Sequence, residues 1–185
     1  MFKKIRTRIG QYYYKKEQTR NNRRCKMTNL QEAKRIGILY TLDDVPDYNL
    51  VSDFVSELQH EHKEVKALGF VKNKSLVQRF LPKLSFDFFS KRDLTWFYKP
   101  IHNQVRDFIE KEFDLLIDLS LRDTFPLQYI AGLSNAQCRV GKFSEKNTEY
   151  YDFMIDLKPA MTTIDFLDQI RHYLTAINSH AKRSK

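Results

Sequence analysis

Glycine is scarce in this chain. Five occur in 185 residues, at positions 10, 37, 69, 132 and 141, and none fall in a GxGxxG fingerprint or a phosphate loop. A backbone cradle for pyrophosphate needs glycines, because a Cβ blocks the close approach of phosphate to backbone. An ordinary dinucleotide or P-loop site is therefore not expected, and neither is a cofactor. Cysteine is scarcer still. Cys25 and Cys138 lie far apart, without the paired spacing of a zinc site, and two isolated thiols fit a reducing, cytoplasmic setting. His60 and His62 stand two apart and cannot share a helix face, so no metal is expected. Long apolar runs are missing as well: nothing approaches the roughly 18 residues of a membrane span. The N-terminus is basic but has no apolar h-region behind it, so no signal peptide is expected. There is also no GxSxG elbow and no Cys–His signature of a nucleophile.

What is present points to one globular α/β domain. Hydrophobic residues make up 42% and charged residues 30%, a balance that buries a core rather than leaving the chain disordered. The centre of the pattern is Phe113-Asp114-Leu115-Leu116-Ile117-Asp118-Leu119-Ser120. A run so short and apolar reads as a strand buried on both faces, as in a parallel sheet. A helical segment from Phe125 to Ala136 follows, then a strand from Cys138 to Phe143, which completes a βαβ unit.

The remaining elements fall around that unit. Strands are expected at Ile36–Tyr40, Val65–Val71 and Tyr151–Leu157, with Leu94–Tyr98 as a further strand carrying the only tryptophan, Trp96. Helices are expected from Asn49, around Val105, and after a Thr162 or Thr163 cap, the last with Ile164, Leu167, Ile170, Tyr173, Leu174 and Ile177 inward. Thr28 to Gln31 fits a capping box for a short helical turn. Leu42 to Pro46 reads as a loop, and Leu76 to Leu84 is ambiguous. The sum is a single Rossmann-like, doubly wound, mostly parallel sheet preceded by a basic N-terminal helix.

Charge is strongly uneven. Residues 1–26 hold ten cations (Lys3, Lys4, Arg6, Arg8, Lys15, Lys16, Arg20, Arg23, Arg24 and Lys26) and one acid, Glu17, for a net +9 that equals the formal charge of the whole chain. Lys182, Arg183 and Lys185 add a basic C-terminal end. Three parts follow: residues 1–27 as a basic amphipathic extension, 28–178 as the Rossmann-like domain, and 179–185 as a basic tail. The domain is expected to fold without residues 1–26. In the extension, Phe2, Ile5, Ile9 and Tyr12 or Tyr13 recur at helical spacing. That stripe either docks on the body or serves a polyanion site, with Tyr12, Tyr13 and Tyr14 able to stack on bases as well as pack.

Three polar clusters fall at strand C-terminal ends, where open α/β sheets bind ligands. They are Asp43-Asp44; Ser120 with Arg122 and Asp123; and Ser144-Glu145-Lys146-Asn147 with Tyr150 and Tyr151. Each has a plainer reading: a turn at Asp43-Asp44, a helix cap at Asp123, a turn opened by Ser144. Together they form a candidate rim for a small-molecule ligand.

Phe113-Asp114-Leu115-Leu116-Ile117-Asp118-Leu119, then Ala131-Gly132-Leu133-Ser134-Asn135-Ala136, then Arg139-Val140-Gly141-Lys142-Phe143 resembles the N-terminal domain of the heptosyltransferases. Leu39 to Val45 stands where that family has an L-G-D-V turn. The resemblance implies a Rossmann-like domain of a glycosyltransferase and places its general base on Asp44. Asp43 stands in place of the family's glycine, Pro46 follows, and the second domain that binds the sugar nucleotide is not expected within these 185 residues. The chain is also similar to a conserved bacterial domain family of unknown function, most clearly over Ile130 to Leu157.

The function expected from the sequence is a non-enzymatic cytoplasmic binding protein, held to RNA, ribosomal RNA foremost, by the basic segment. The alternatives are a glycosyltransferase-like domain or degenerate enzyme peripherally bound to the inner membrane surface, and a scaffold for a protein partner.

Overall fold

The computed structural model describes residues 2–19, 23–43, 45–72 and 84–177. In chain order the elements are α1 (Phe2–Gln18), β1 (Arg35–Leu42), α2 (Val45–His60), β2 (Glu64–Val71), β3 (Phe86–Ser90), α3 (Asn103–Glu110), β4 (Leu115–Asp118), α4 (Phe125–Leu133), β5 (Cys138–Lys142), β6 (Phe153–Ile155) and α5 (Thr163–Ala176). The six strands form one sheet in the order β3-β2-β1-β4-β5-β6. Every neighbouring pair runs parallel. The order reverses between β1 and β4, which is the doubly wound Rossmann-like arrangement.

Side-chain alternation along the strands sorts the core into two layers. Ile36, Ile38, Tyr40 and Leu42 of β1 face one side with Leu115 and Ile117 of β4, and α2 and α5 cover them through Phe54, Leu58, Phe166 and Ile170. Leu39, Leu68, Phe70 and Leu116 face the other side, under α3 and α4 and Tyr14 of α1. Two crossovers of opposite sense therefore leave a crevice at the C-terminal ends of β1 and β4.

Several boundaries differ from the sequence reading, each for a local reason. The third strand is Phe86–Ser90, paired with β2, and not Leu94–Tyr98. The latter stretch turns back on itself: Leu94 bridges Pro100, Thr95 N–H donates to Lys99 O, and Tyr98 takes the left-handed φ of 67° that an extended strand excludes. Helix α2 begins at Val45 and takes in Pro46, which is compatible with a first helical turn because proline lacks only an N–H that has no partner there. Thr28 to Gln31 makes a turn in which Asn29, not Thr28, accepts the Glu32 N–H. In α5, Ile164 and Tyr173 are exposed, and Phe166 takes the inward place beside Leu167, Ile170 and Leu174. The ambiguous stretch before β3 lies outside the described residues, apart from Leu84, which is exposed. So does the whole of the basic C-terminal tail, residues 179–185.

Candidate functional site

Helix α1 sets the first candidate surface. At 3.6 residues per turn, Gly10, Tyr14 and Glu17 share one face, and that face is the docked one. The Tyr14 side chain is fully shut from solvent. Its hydroxyl donates to Glu149 O at 3.0 Å, and its ring tilts against Tyr150 at 4.9 Å between centroids. A Cβ on Gly132 of α4 would collide with that hydroxyl, and a Cβ on Gly10 would collide with Phe97 O. Two glycines therefore let the helix sit close. Glu17, the one acid of the segment, accepts from Tyr129 at 2.7 Å and pairs with Lys99. The expected extension is thus part of the second core layer.

Of the two readings of the apolar stripe, docking on the body is not what the structure shows for most of it. Phe2 is 79% exposed, and Ile5, Tyr12 and Tyr13 are exposed with it. They lie on the next face of the helix, with Ile9 among them. Tyr13 stacks on Phe97 at 4.6 Å, and that loop extends the patch with Trp96, 57% exposed, and Ile101. Lys4, Arg8 and Lys15 occupy the remaining face, and Lys16 falls within the stripe.

The expected cations divide into held and free. Arg6 lies 4.3 Å over the Tyr98 ring and donates to Trp96 O at 2.5 Å. Lys15 pairs with Glu149 at 3.2 Å. Arg23 is half-buried, pairs with Asp152 and donates to the carbonyls of Ala136 and Gln137. Lys3, Lys4, Arg8, Lys16, Arg24 and Lys26 are exposed, and among the described residues none of them has an ion-pair partner. Arg20 lies outside the described residues.

The second candidate is the crevice at the β1/β4 switch, a cavity of about 180 Å³ lined in part by Asp43, Asp47, Lys72, Ser120, Arg122 and Thr163. Lys72 pairs with Asp43 at 3.5 Å, and Asp43 N–H donates to Asp47 at 3.3 Å. Thr41 and Ser120 hydroxyls lie 3.4 Å apart across the two strands. Asp44 lies outside the described residues. The third cluster does not reach this crevice. Asn147 is buried, donating to Lys142 O at 2.8 Å and Asp123 at 3.4 Å and accepting from Gln128 at 2.8 Å. It clasps the turn after β5. Asp123 does not cap α4; Thr124 holds that position, with Pro126 in the first turn. Ser144 stands at the N-cap of the single-turn helix Glu145–Glu149 without capping it, and its buried hydroxyl has no partner among the described residues. Glu145 and Lys146 are exposed.

Of the buried charged residues that sequence reasoning passed over, two lie within strands. Asp118 ends β4 inside the apolar run, and its carboxylate accepts from Tyr151 OH at 2.5 Å and Ser120 N–H at 2.9 Å. Burial raises its pKa, partly offset by those hydrogen bonds. Arg139, on β5, is 4% exposed. A charge inside a short strand was the available signal for both.

The chain belongs to a family of unknown function, DUF6913, whose family model matches residues 6–177. That span includes most of α1. No curated protein and no solved structure matches the chain.

Proposed function

We propose that this protein is a non-enzymatic binding protein that lies on an anionic membrane surface, with the outward face of α1 and the Trp96 loop against the lipid. The observation that carries this reading is the pairing of an exposed apolar stripe, Phe2, Ile5 and Tyr12, with exposed cations, Lys4, Arg8 and Lys16, that have no ion-pair partner among the described residues. Phosphate contact alone explains the cations but leaves the aliphatic and aromatic side chains in water. An interfacial helix uses both: the apolar face enters the headgroup boundary and the cations meet anionic lipid. Trp96 beside it suits the same boundary, since an indole has an apolar body and a polar N–H. No helix among the described residues is long and apolar enough to cross a membrane. Lipid on the cytoplasmic side of the membrane is the partner this reading names.

RNA is the second reading. The Tyr13–Phe97 stack, exposed Tyr12 and the Arg6–Tyr98 contact offer base-stacking surfaces beside cations. The glycosyltransferase-like reading would place its chemistry in the switch crevice near Asp43 and Asp44.

Co-sedimentation with vesicles of mixed phosphatidylglycerol and phosphatidylcholine, with phosphatidylcholine alone, and with single-stranded RNA decides between them. Binding to the anionic vesicles is expected, lost when Phe2, Ile5 and Tyr12 are changed together to Ser. Failure to sediment with anionic vesicles at low salt overturns the membrane reading. RNA binding that survives the triple change, without vesicle binding, puts RNA in its place.

A further inference from the structure

Arg139 is shut inside the fold with almost none of its hydrogen-bonding capacity used. It sits near the start of β5, and its neighbours Cys138 and Val140 face the α2 and α5 layer, so its side chain faces the opposite side. A guanidinium carries five N–H donors. Among the described residues Arg139 makes one side-chain hydrogen bond, from Nη2 to Ser134 O at 2.5 Å. Its Nε is closed off from solvent without a partner among those residues. Burial pulls its pKa down to about 10, the charge of Arg23 adds to that, and Asp152 opposes it. Buried charges in folded proteins are otherwise paired and hydrogen-bonded, because leaving water uncompensated is costly.

Beside Arg139 lies a cavity of about 310 Å³, also lined by Arg23, Gln18, Cys25, Thr148 and Tyr151. Arg23 is fixed there by Asp152 and by the carbonyls of Ala136 and Gln137. The acids on the cavity wall are already engaged, Asp152 with Arg23 and Glu149 with Lys15. Asp152, which accepts the Arg139 backbone N–H at 2.9 Å, offsets the charge of Arg139 in part. What remains is a guanidinium with one side-chain bond among the described residues, and Gln18 and Thr148 as neutral polar groups on the same wall.

We propose that this cavity binds a phosphate group carried by a small molecule, with Arg139 as the anchor and Arg23 and Gln18 beside it. The planar guanidinium fork matches two oxygens of a phosphate, and a dianion answers two neighbouring arginines better than a single carboxylate does. The cavity is larger than a bare phosphate and falls at the lower end of the roughly 300–1,000 Å³ range of small-molecule sites. The site is separate from the β1/β4 crevice and from the outward face of α1, so it stands or falls apart from the membrane reading.

Inorganic phosphate and a sugar monophosphate, each titrated into the full chain against a chloride control of equal ionic strength, test it. The readouts are arginine Nε–H resonances by proton–nitrogen NMR and the alkylation rate of Cys25, which is exposed and lines the cavity. One Nε–H resonance, missing from Arg139→Gln, is expected to move saturably with phosphate, and alkylation of Cys25 to slow with the same midpoint. Arg139→Lys is expected to weaken binding at least about tenfold, because an ammonium cannot offer the fork. Tighter binding of the sugar monophosphate supports a carrier in the remaining space; equal affinity assigns the site to free phosphate. No saturable shift with either compound, the same shift in chloride, or undiminished binding by Arg139→Gln overturns the proposal. Should Arg139→Gln fail to fold, the two wild-type readouts decide alone.

Discussion

Tyr151 OH donates to Asp118 Oδ2 across 2.5 Å, and both residues are almost wholly out of contact with water. The ring of Tyr151 reaches that carboxylate by lying over Gly141, where a Cβ would press on it at 2.8 Å. The pair ties the turn before β6 to the C-terminal end of the central strand β4. It also sets a pH dependence. Burial raises the folded pKa of Asp118 above its unfolded value, so folding favours the protonated form. The stability this contributes is complete below the unfolded pKa of about 3.9 and is lost as pH rises through the folded pKa.

Asp118→Asn removes that titration. Melting temperatures of the two proteins between pH 4 and pH 8 are expected to diverge, with the variant gaining on the wild type as pH rises. The gain is at most about 1.4 kcal/mol per pH unit in the window between the two pKa values. A constant difference across that range would show that Asp118 does not titrate there. Tyr151→Phe leaves the carboxylate one donor short and is expected to cost about 1–3 kcal/mol at neutral pH.

Tyr14 holds α1 to the domain. Truncation to Ala empties a large buried site, and losses of about 3–5 kcal/mol are typical for a buried aromatic residue. Tyr14→Phe keeps the ring and drops only the bond to Glu149 O, for about 1 kcal/mol. Urea unfolding of the two variants separates packing from hydrogen bonding. Deletion of residues 1–26, which the charge pattern suggested the domain would survive, is expected from this packing to lower the urea midpoint sharply.

Gly132→Ala sets two effects against each other. Alanine is favoured over glycine within a helix by about 1 kcal/mol. Here the new methyl would collide with the Tyr14 hydroxyl and ring, and overpacking of a filled site costs about 1–3 kcal/mol. Net destabilisation is expected. In a Tyr14→Ala background the collision is gone, and the same substitution should stabilise. A double-mutant cycle by denaturant unfolding reads the coupling, and additivity would mean that the two residues do not touch.

Lys4, Arg8 and Lys16 should matter to binding and not to stability. With no ion-pair partner, their replacement by Ser is expected to shift unfolding by no more than about 0.5 kcal/mol. Each charge near an anionic bilayer contributes about 1 kcal/mol, so each loss should weaken vesicle affinity roughly fivefold, and less so at high salt. Arg23 behaves in the opposite way. Its ion pair and two carbonyl bonds are internal, so Arg23→Ser is expected to lower the melting temperature. Equal effects of all four changes on stability would contradict this division.

Much of the architecture was legible in local sequence. The apolar run through Leu115–Ile117 can satisfy its side chains only when covered on both faces, and a parallel sheet provides that. Thr162 and Asp165 announce the start of α5, and the structure contains their reciprocal capping box. These are decisions made within a few residues by hydrogen bonding and side-chain period. The rim at the strand ends was partly legible by the same logic, since polar residues must follow a buried strand. Its division was not: Asp43, Ser120 and Arg122 share the crevice, while Asn147 turns inward to hold a loop and exposed Asp123 only accepts from it.

The docked face of α1 was decided by tertiary structure alone. Periodicity groups Phe2, Ile5 and Ile9 in one apolar stripe and leaves open whether that stripe docks or faces outward. Helix α1 lies on α4 through Gly10 and Tyr14, because two missing Cβ atoms allow an approach that the stripe's bulkier side chains would prevent. Hydrophobic spacing records which side chains avoid water, but it holds no information about the shape of the surface they would meet. The same limit hid Arg139, whose neighbours on the helical side, Ser134 and Arg23, come from segments distant in sequence or folded back upon it. Local sequence determined where strands and helices form; steric fit between elements determined which charges and which apolar side chains were left facing outward.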